Sequence, residues 1–294
     1  IFQQKLSIPQ YLGTAGSVIY GNFAKVRNHG VDLSIDYGKQ ISKDFTLQFK
    51  GTFTFARNKV LEYDEAPGLR PGMKTVGRRL NTFLGYVTNG LYENYTDVEE
   101  SPTSTLGNIA ISPGDIKYVD QPDANGNYDG RITSDDRVEI GDPWIPEIVY
   151  GFGPSMRWKN WDFSFFFQGQ TNVSLIMENF EPFGERSARG VLAWIADDYW
   201  SPDHPNVNAK HPRLTRLTNN HNMQVSTYWL RDASFLKLKN VELGYSYKKA
   251  RFYISGSNLL TISPFKHWDP EVGTGAGMQY PTQRIFNLGI QMSF

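Results

Sequence analysis

Apolar and polar residues alternate along several stretches of this chain, most clearly along the last one. From Phe286 to Phe294 every even-numbered residue is apolar, and the residues between them are polar or small. A period of two predicts a β-strand with one apolar and one polar face. The same alternation recurs in residues 31–37, 45–55, 148–158, 161–168, 228–247 and 251–260. The pattern therefore predicts an all-β fold.

The connections between the predicted strands are of two kinds. Short polar turns lie at Gly38–Asp44, Lys159–Asn160 and Lys248–Lys249, whereas long segments occupy residues 56–147, 170–224 and 261–283. Short turns at one end of a sheet and long loops at the other are typical of an outer-membrane β-barrel. The sequence thus predicts a transmembrane antiparallel β-barrel with long extracellular loops.

The long segments also carry local predictions. We predict short strands at residues 82–91 and 115–119 and a short helix at residues 187–200. Apolar residues change phase between Leu238 and Val241. A one-residue slip of this kind predicts a β-bulge near Lys239–Asn240.

The apolar faces of the strands fit two environments. In a soluble β-sandwich they would be sealed between two sheets, and in a membrane barrel they would contact lipid. Their size and aromatic content favour lipid. The side chains whose burial decides between the two are Phe45, Phe49, Phe163, Phe165, Leu288 and Ile290. The soluble sandwich remains open as an alternative.

The end of the chain carries a second signal. Its alternating apolar residues are Phe286, Leu288, Ile290, Met292 and Phe294. This arrangement resembles the signal by which the barrel assembly machinery recognises outer-membrane barrels. A final strand also closes a barrel and removes its exposed edge. We therefore predict that this machinery is a partner of the protein.

Composition narrows the class of protein further. The chain has 294 residues, 14% of them aromatic, and 30 basic residues balance 30 acidic ones, so nothing points to nucleic acid. Mean hydropathy is −0.46, and no apolar run approaches the ~18 residues of a membrane helix. There is no Cys for a disulfide or thiolate site. Because residues 1–4 contain neither Met nor a signal-peptide pattern, we expect a longer protein.

Several short motifs occur in a recognisable order. They are Pro113–Tyr118, Asp123–Gly126, Asp129–Ile132, Asp136–Arg137, Ile140–Pro143, Tyr150–Phe152, Asp198–Pro202, Trp229–Asn240, Ser257–Leu260, Trp268–Glu271 and Tyr280–Pro281. Together with the last strand they resemble the carboxy-terminal part of SusC/RagA-type TonB-dependent outer-membrane transporters of the Bacteroidetes. The resemblance covers most of residues 28–294.

The resemblance implies an architecture, a function and partners. It implies a large barrel of about 22 strands, of which residues 1–294 form the carboxy-terminal portion. It places a plug domain and a TonB box before residue 1, outside this chain. It implies import of glycans, oligosaccharides or peptides across the outer membrane. The implied partners are a SusD-like surface lipoprotein, the TonB complex and outer-membrane lipid.

One loop has the composition of a cation site. Its oxygen-bearing residues are Asp123, Asn125, Asn127, Asp129 and Asp135. Hard oxygen ligands at this density suit Ca²⁺, although the EF-hand pattern is met only in part because Tyr128 follows Asn127. The alternative is a turn held by hydrogen bonds from Asx side chains to the backbone.

Aromatic residues in the long loops are candidates for binding substrate. They are Trp194, Tyr199, Trp200 and Trp268, and aromatic rings of this kind can stack on sugars while their polar tips form hydrogen bonds. The alternative is that they pack the loops, which the sequence favours for the predicted helix.

The sequence offers no catalytic constellation, and we predict that the protein is not an enzyme. None of its five His residues lies in an H-E-x-x-H arrangement. Gly151–Gly153 lacks the third glycine of a nucleotide loop and lies in a predicted strand. The functions that compete with the transporter are a soluble secreted carbohydrate-binding β-sandwich and a passive porin-like barrel.

Overall fold

A computed structural model describes residues 2–7, 18–178 and 190–293 of the chain. The chain divides into two compact units. The loop unit comprises residues 1–27, 58–141 and 176–231, and the sheet unit comprises residues 28–57, 142–175 and 232–294. Phe294 of the predicted assembly signal and residues 187–189 of the predicted helix lie outside the described residues.

Eight strands form one large sheet. They are β1 (Phe2–Ser7), β2 (Val18–Ser42), β3 (Phe45–Glu62), β10 (Ile148–Trp158), β11 (Trp161–Thr171), β14 (Phe235–Tyr247), β15 (Ala250–Ile262) and β16 (Ile285–Met292). The order across the sheet is β1–β2–β3–β10–β11–β14–β15–β16, and neighbours from β3 to β16 are antiparallel. The all-β prediction is confirmed. Because this order has two ends, the described residues form part of a barrel wall and not a closed barrel.

The remaining elements are short. They are β4 (Phe83–Gly85), β5 (Thr88–Leu91), α1 (Tyr95–Glu100), β6 (Thr103–Ser104), β7 (Ile116–Tyr118), β8 (Arg131–Ile132), β9 (Val138–Ile140), β12 (Ser174–Ile176), α2 (Ala193–Asp197) and β13 (Leu230–Asp232). Two-stranded sheets pair β4 with β9, β5 with β7 and β6 with β8. The strand predicted at residues 115–119 is confirmed, and the one predicted at residues 82–91 is two short strands.

The helix predicted at residues 187–200 is wrong in extent, because α2 comprises only Ala193–Asp197. Leu192 precedes the helix and forms no side-chain cap, so no capping hydrogen bond stabilises the amino-terminal end of the helix. Asp198 then leaves the helical conformation with φ −153°.

Tight turns join the strands at one end of the sheet. Lys159–Asn160 and Lys248–Lys249 form turns as predicted, and Lys159 and Lys248 adopt left-handed φ values of 52° and 53°. The turn predicted at Gly38–Asp44 is too long, because β2 continues to Ser42 and only Lys43 and Asp44 turn. A polar segment can remain in a sheet because pairing depends on backbone groups rather than on apolar side chains.

The predicted bulge is present on β14. Leu238 and Asn240 pair with Leu260 and Ser257 of β15, and the register shifts between them. The register against β11 shifts at the same place. Against β11 the extra residue is Lys239, because Phe166 and Phe167 are adjacent but pair with Asn240 and Leu238. Against β15 the extra residue lies on β15, where residues 258 and 259 face Lys239 alone. Lys239 accounts for the change in apolar phase along β14.

The loop unit has a buried apolar core. Tyr92, Ile116, Tyr118, Ile132 and Ile195 are at most 2% exposed. Burial of such side chains is the main favourable contribution to folding. Among the described residues, no helix has the length and apolar character needed to span a membrane.

Candidate functional site

The register of the sheet unit collects apolar side chains on one face. Leu47, Met156, Phe163, Leu243, Ile254 and Leu288 form one continuous row across six strands, because each is paired with the next. We call the face that carries this row the apolar face. Side chains alternate between the two faces along each strand outside the bulge of β14, so the opposite face receives most of the intervening polar residues, with Phe166 as an apolar exception.

The apolar face is uncovered. Leu288 is 85% exposed, Ile290 is 59% exposed and Phe49 is 37% exposed. Phe45, Phe163 and Phe165 are half-buried among their neighbours in the sheet. None of these six decisive residues is sealed between two sheets. An apolar surface of this size exposed on a folded sheet requires an apolar partner, and the sandwich interpretation of this face is wrong.

A second row lies at the end of the sheet that carries the tight turns. Phe45, Trp158, Trp161, Tyr245, Phe252 and Ile290 are paired in that order. The rings of Trp161 and Tyr245 have centroids 4.7 Å apart. Lys159 and Lys248 add ammonium groups 5.6 Å from the Trp158 ring and 5.4 Å from the Tyr247 ring. Aromatic rings with cations at a strand end are typical of a membrane interface.

The opposite face of the sheet unit is polar and carries an ion-pair network. Arg251 donates from Nε to Asp162 Oδ1 at 3.1 Å and from Nη2 to Glu242 Oε1 at 2.5 Å. Gly244 lies beneath this network, where a Cβ atom would come within 2.5 Å of Arg251 Nη2 and of an Asp162 oxygen. Glycine therefore leaves the space that the ion pairs occupy. Charged groups on this face are consistent with a hydrated barrel interior.

The motif Pro113–Tyr118 forms a hub in the loop unit that was not predicted from the sequence. Asp115 is 1% exposed. Its carboxylate accepts hydrogen bonds from Arg213 at 2.7 and 3.0 Å, from Asn219 and Asn222 at 2.9 Å and from the Ser112 backbone at 2.9 Å. The resemblance identified the motif, but nothing local in the sequence identifies partners about a hundred residues away. The hub ties two distant segments of the loop unit together.

The predicted calcium residues are engaged with protein groups. Asp123 Oδ1 accepts from the backbone N–H groups of Asn125 at 2.8 Å and Asn127 at 2.9 Å. Asp129 accepts from Arg70 at 2.5 Å. These contacts support the Asx-turn alternative. In the part of the chain that the structure describes, no three His, Cys, Asp or Glu side chains are placed to hold a metal ion, and the calcium site, with Asp135, remains a prediction.

Arg70 supplies the positive charge of this acidic loop. It also donates to Asp136 at 2.6 Å and lies 3.7 Å from Asp120. Burial raises the pKa of Asp120, and the neighbouring Asp136 adds to the increase. A guanidinium among several carboxylates performs the neutralising role that a bound cation would otherwise have.

The predicted substrate-binding aromatics belong to both units. In the loop unit, Trp200 is buried against Gly114, whose Cβ would lie 2.3 Å from the indole, and the half-buried Trp194 ring is 6.1 Å from His211. These contacts support the packing alternative for both. Tyr199 is 36% exposed. Trp268 belongs to the sheet unit, where it lines a cavity. Substrate binding by all four remains a prediction.

Two buried histidines of the loop unit are neutral. Burial lowers the pKa of His211 to about 4, and its Nδ1 group contacts the Pro212 carbonyl at 2.8 Å. Burial also lowers the pKa of His221, whose Nε2 group lies 2.7 Å from the Ile116 carbonyl. Both contacts require a ring N–H donor, which leaves the other ring nitrogen as an acceptor.

We expect the loop unit to lose stability as the pH falls from about 6.5 towards 4. The unfolded chain binds a proton at His211 near pH 6.5, but the folded chain does not until the pH is near 4, so acid favours unfolding in this window. The loss from His211 is about 2 kcal/mol at pH 5. This loss of stability is measured by hydrogen exchange of residues 198–229 at pH 7.5 and pH 5, with the exchange rates corrected for the intrinsic effect of pH.

His211→Phe serves as the control for this prediction. It removes one of the two histidines whose pKa burial lowers, so it should reduce the pH dependence of protection in residues 198–229, and His221 should keep the remainder. Equal pH dependence in His211→Phe and in the unchanged protein would contradict the assignment to His211.

The curated proteins that this chain resembles are TonB-dependent receptors. The chain is 27% identical over 98% of its length to the TonB-dependent receptor P3 of Formosa agariphila and 26% identical over 93% of its length to the TonB-dependent receptor SusC of Bacteroides thetaiotaomicron. It spans about 30% of the length of these curated relatives. No family model matches the chain.

Solved structures show the same fold. A chain of the RagAB peptide importer in its open-open state superposes with a TM-score of 0.72 at 22% identity, covering 99% of this chain and 31% of that one. A chain of the RagAB peptide transporter gives a TM-score of 0.70 at 24% identity, covering 98% and 31%. The fold prediction, a portion of a large outer-membrane barrel, is confirmed.

Proposed function

We propose that this SusC/RagA-like chain forms part of the barrel wall of a TonB-dependent importer that takes up glycans, oligosaccharides or peptides across the outer membrane. The observation that carries the proposal is the two-sided sheet. Its apolar face is exposed at Leu288 and Ile290, and its opposite face holds the ion pairs of Arg251. A wall between lipid and a hydrated interior satisfies both faces.

The domain organisation belongs to the same proposal. Residues 1–294 supply a barrel portion, and a plug domain and a TonB box belong to other parts of the longer protein. The SusD-like lipoprotein would cover the extracellular mouth, and the TonB complex would supply energy. The names of the relatives, TonB-dependent receptors and SusC among them, support this arrangement. The alternating apolar residues of the last strand support recognition by the barrel assembly machinery.

Uptake measurements in the source bacterium test the proposal. Deletion of the full-length protein should abolish growth on one class of glycan or peptide, and depletion of TonB should have the same effect. The purified protein should require detergent and should migrate differently in gels before and after heating. Uptake that survives TonB depletion would indicate a passive porin-like barrel. A monodisperse protein in plain buffer would contradict the membrane location.

A further inference from the structure

The loop between β15 and β16 is anchored to the bulged strand. Lys237 of β14 is fully buried and forms ion pairs with Asp269 at 2.5 Å and with Glu271. Lys239, the bulge residue, contacts Glu271 at 2.7 Å. Two lysines therefore neutralise both carboxylates of this loop. A fully paired network around a buried lysine holds a loop in one arrangement.

The same loop holds Trp268 in a fixed position. The indole Nε1–H donates to the Gly273 carbonyl at 3.1 Å, and the Phe265 ring is nearly perpendicular to the indole with centroids 4.6 Å apart. Gly277 has φ +66°, and a Cβ there would lie 2.6 Å from the indole. Glycine thus allows the backbone to approach the ring closely. A ring held from three sides needs little reordering to bind a ligand.

A cavity of about 250 Å³ lies beside Trp268. It is somewhat smaller than the roughly 300 Å³ at which drug-sized pockets begin, so it suits a single small unit. Hydroxyl and amide groups line it, from Asn258, Thr261, Ser263 and Thr282. Such groups match a ligand that is rich in hydroxyl groups, and an aromatic platform matches the flat apolar side of a ring.

The cavity also has an excess of positive charge. Lys266 and Arg284 line it, and within the described residues neither has a hydrogen-bond or ion-pair partner. The carboxylates of Asp269 and Glu271 are already paired with Lys237 and Lys239. The two free cations therefore favour an anionic group, for which guanidinium and ammonium groups are the usual protein partners.

The position of the cavity suits a ligand that arrives from outside. β15 begins directly after the tight turn at Lys248–Lys249 and ends at Ile262, where the loop starts. The cavity is therefore at the long-loop end of the strand, and the tight turns are at the other end. In outer-membrane barrels the long loops are extracellular.

We propose that this cavity binds a saccharide unit that carries a carboxylate, with its ring against Trp268 and its carboxylate between Lys266 and Arg284. This proposal rests on the import function proposed above, and it adds the chemical class of the substrate. Binding itself needs neither TonB nor transport. It can therefore be measured separately from import.

Saturation-transfer NMR on the purified full-length protein in detergent tests the proposal. The probes are D-glucuronate and D-galacturonate, with D-glucose and inorganic sulfate as comparison ligands. We expect at least one uronate to bind about tenfold more tightly than glucose, because the charged group adds hydrogen bonds to two cations. Inorganic sulfate has no protons to observe, so its binding is measured by competition, and it should displace that uronate only weakly. The double variant Lys266→Gln, Arg284→Gln should abolish the difference between uronate and glucose.

Matched variants keep the test decisive. Lys249→Gln makes the same kind of charge change at a tight turn and should leave uronate binding unchanged. Trp268→Leu should weaken the binding of both uronate and glucose, and unchanged heat-dependent gel migration verifies that it folds. Uronates that bind no better than glucose, or that bind the double variant as tightly as the unchanged protein, would overturn the proposal. Uronate binding without uptake would instead contradict only the import function.

Discussion

Leu288→Arg is expected to prevent the full-length protein from accumulating as a folded outer-membrane species. Leu288 lies in the apolar row opposite Ile254 and is 85% exposed. On a lipid-facing strand an arginine costs about 2–4 kcal/mol at the bilayer midplane and about 0–1 kcal/mol near the interfaces, so the cost at Leu288 should lie between these values. On a surface in water the same substitution would change stability by no more than about 0.5 kcal/mol. The expected loss of stability therefore shows whether Leu288 faces lipid or water, and it does not depend on a lost side-chain contact.

Asn287→Arg is the matched control, because Asn287 is the neighbouring residue on the same strand and pairs with Ser255 of the polar face. We expect this variant to fold and reach the membrane normally. Heat-dependent gel migration and urea unfolding in lipid vesicles measure both variants. If the two behaved alike, or if Leu288→Arg were the more soluble and equally stable, the lipid-facing assignment would be wrong.

Asp115→Ala is expected to unfold much of the loop unit. The substitution leaves the partly buried Arg213 guanidinium without its carboxylate and removes the shared acceptor of Asn219 and Asn222. Removing one partner of a buried ion pair costs about 3–5 kcal/mol. Around residues 112–118 and 213–222, hydrogen exchange in the full-length protein should show protection lost by about two to four orders of magnitude, because each 1.4 kcal/mol corresponds to about a tenfold change.

Glu62→Ala provides the comparison for this hub. Glu62 pairs with Lys25 in the same unit, but both side chains are more than half exposed. Exposed pairs contribute about 0–1 kcal/mol, so exchange in the loop unit should hardly change. Strands β10, β11, β14 and β15 should stay protected in both variants. Unaltered protection around residues 213–222 in Asp115→Ala would show that Asp115 is not the organising group.

The strands of the sheet unit could be predicted because their information is local. Alternation with a period of two identifies a strand and its two faces at once, and the phase change beside Lys239 identified the bulge. The start of β2 at Val18 could not be predicted, since residues 18–30 lack alternation. Paired backbone groups hold this part of the strand regardless of its side chains.

The candidate sites were less predictable because they depend on distant residues. Trp268 could be proposed as a ligand residue from its type, but the cavity beside it needs Thr282 and Arg284 from the far end of the loop. Asp129 looked like a cation ligand in the sequence, yet Arg70 reaches it from 59 positions away. Spacing along the chain contains no information about such partners.

The row of rings beside the tight turns also determines how deep this wall sits. Phe45, Trp158, Trp161 and Tyr245 are joined in register, so they form one band across four strands and cannot shift independently. With the lysines at the turns, they fix that edge to the lipid headgroups. A thicker or thinner bilayer must then be accommodated at the opposite edge, where the cost is a fraction of a kcal/mol per Å of mismatch.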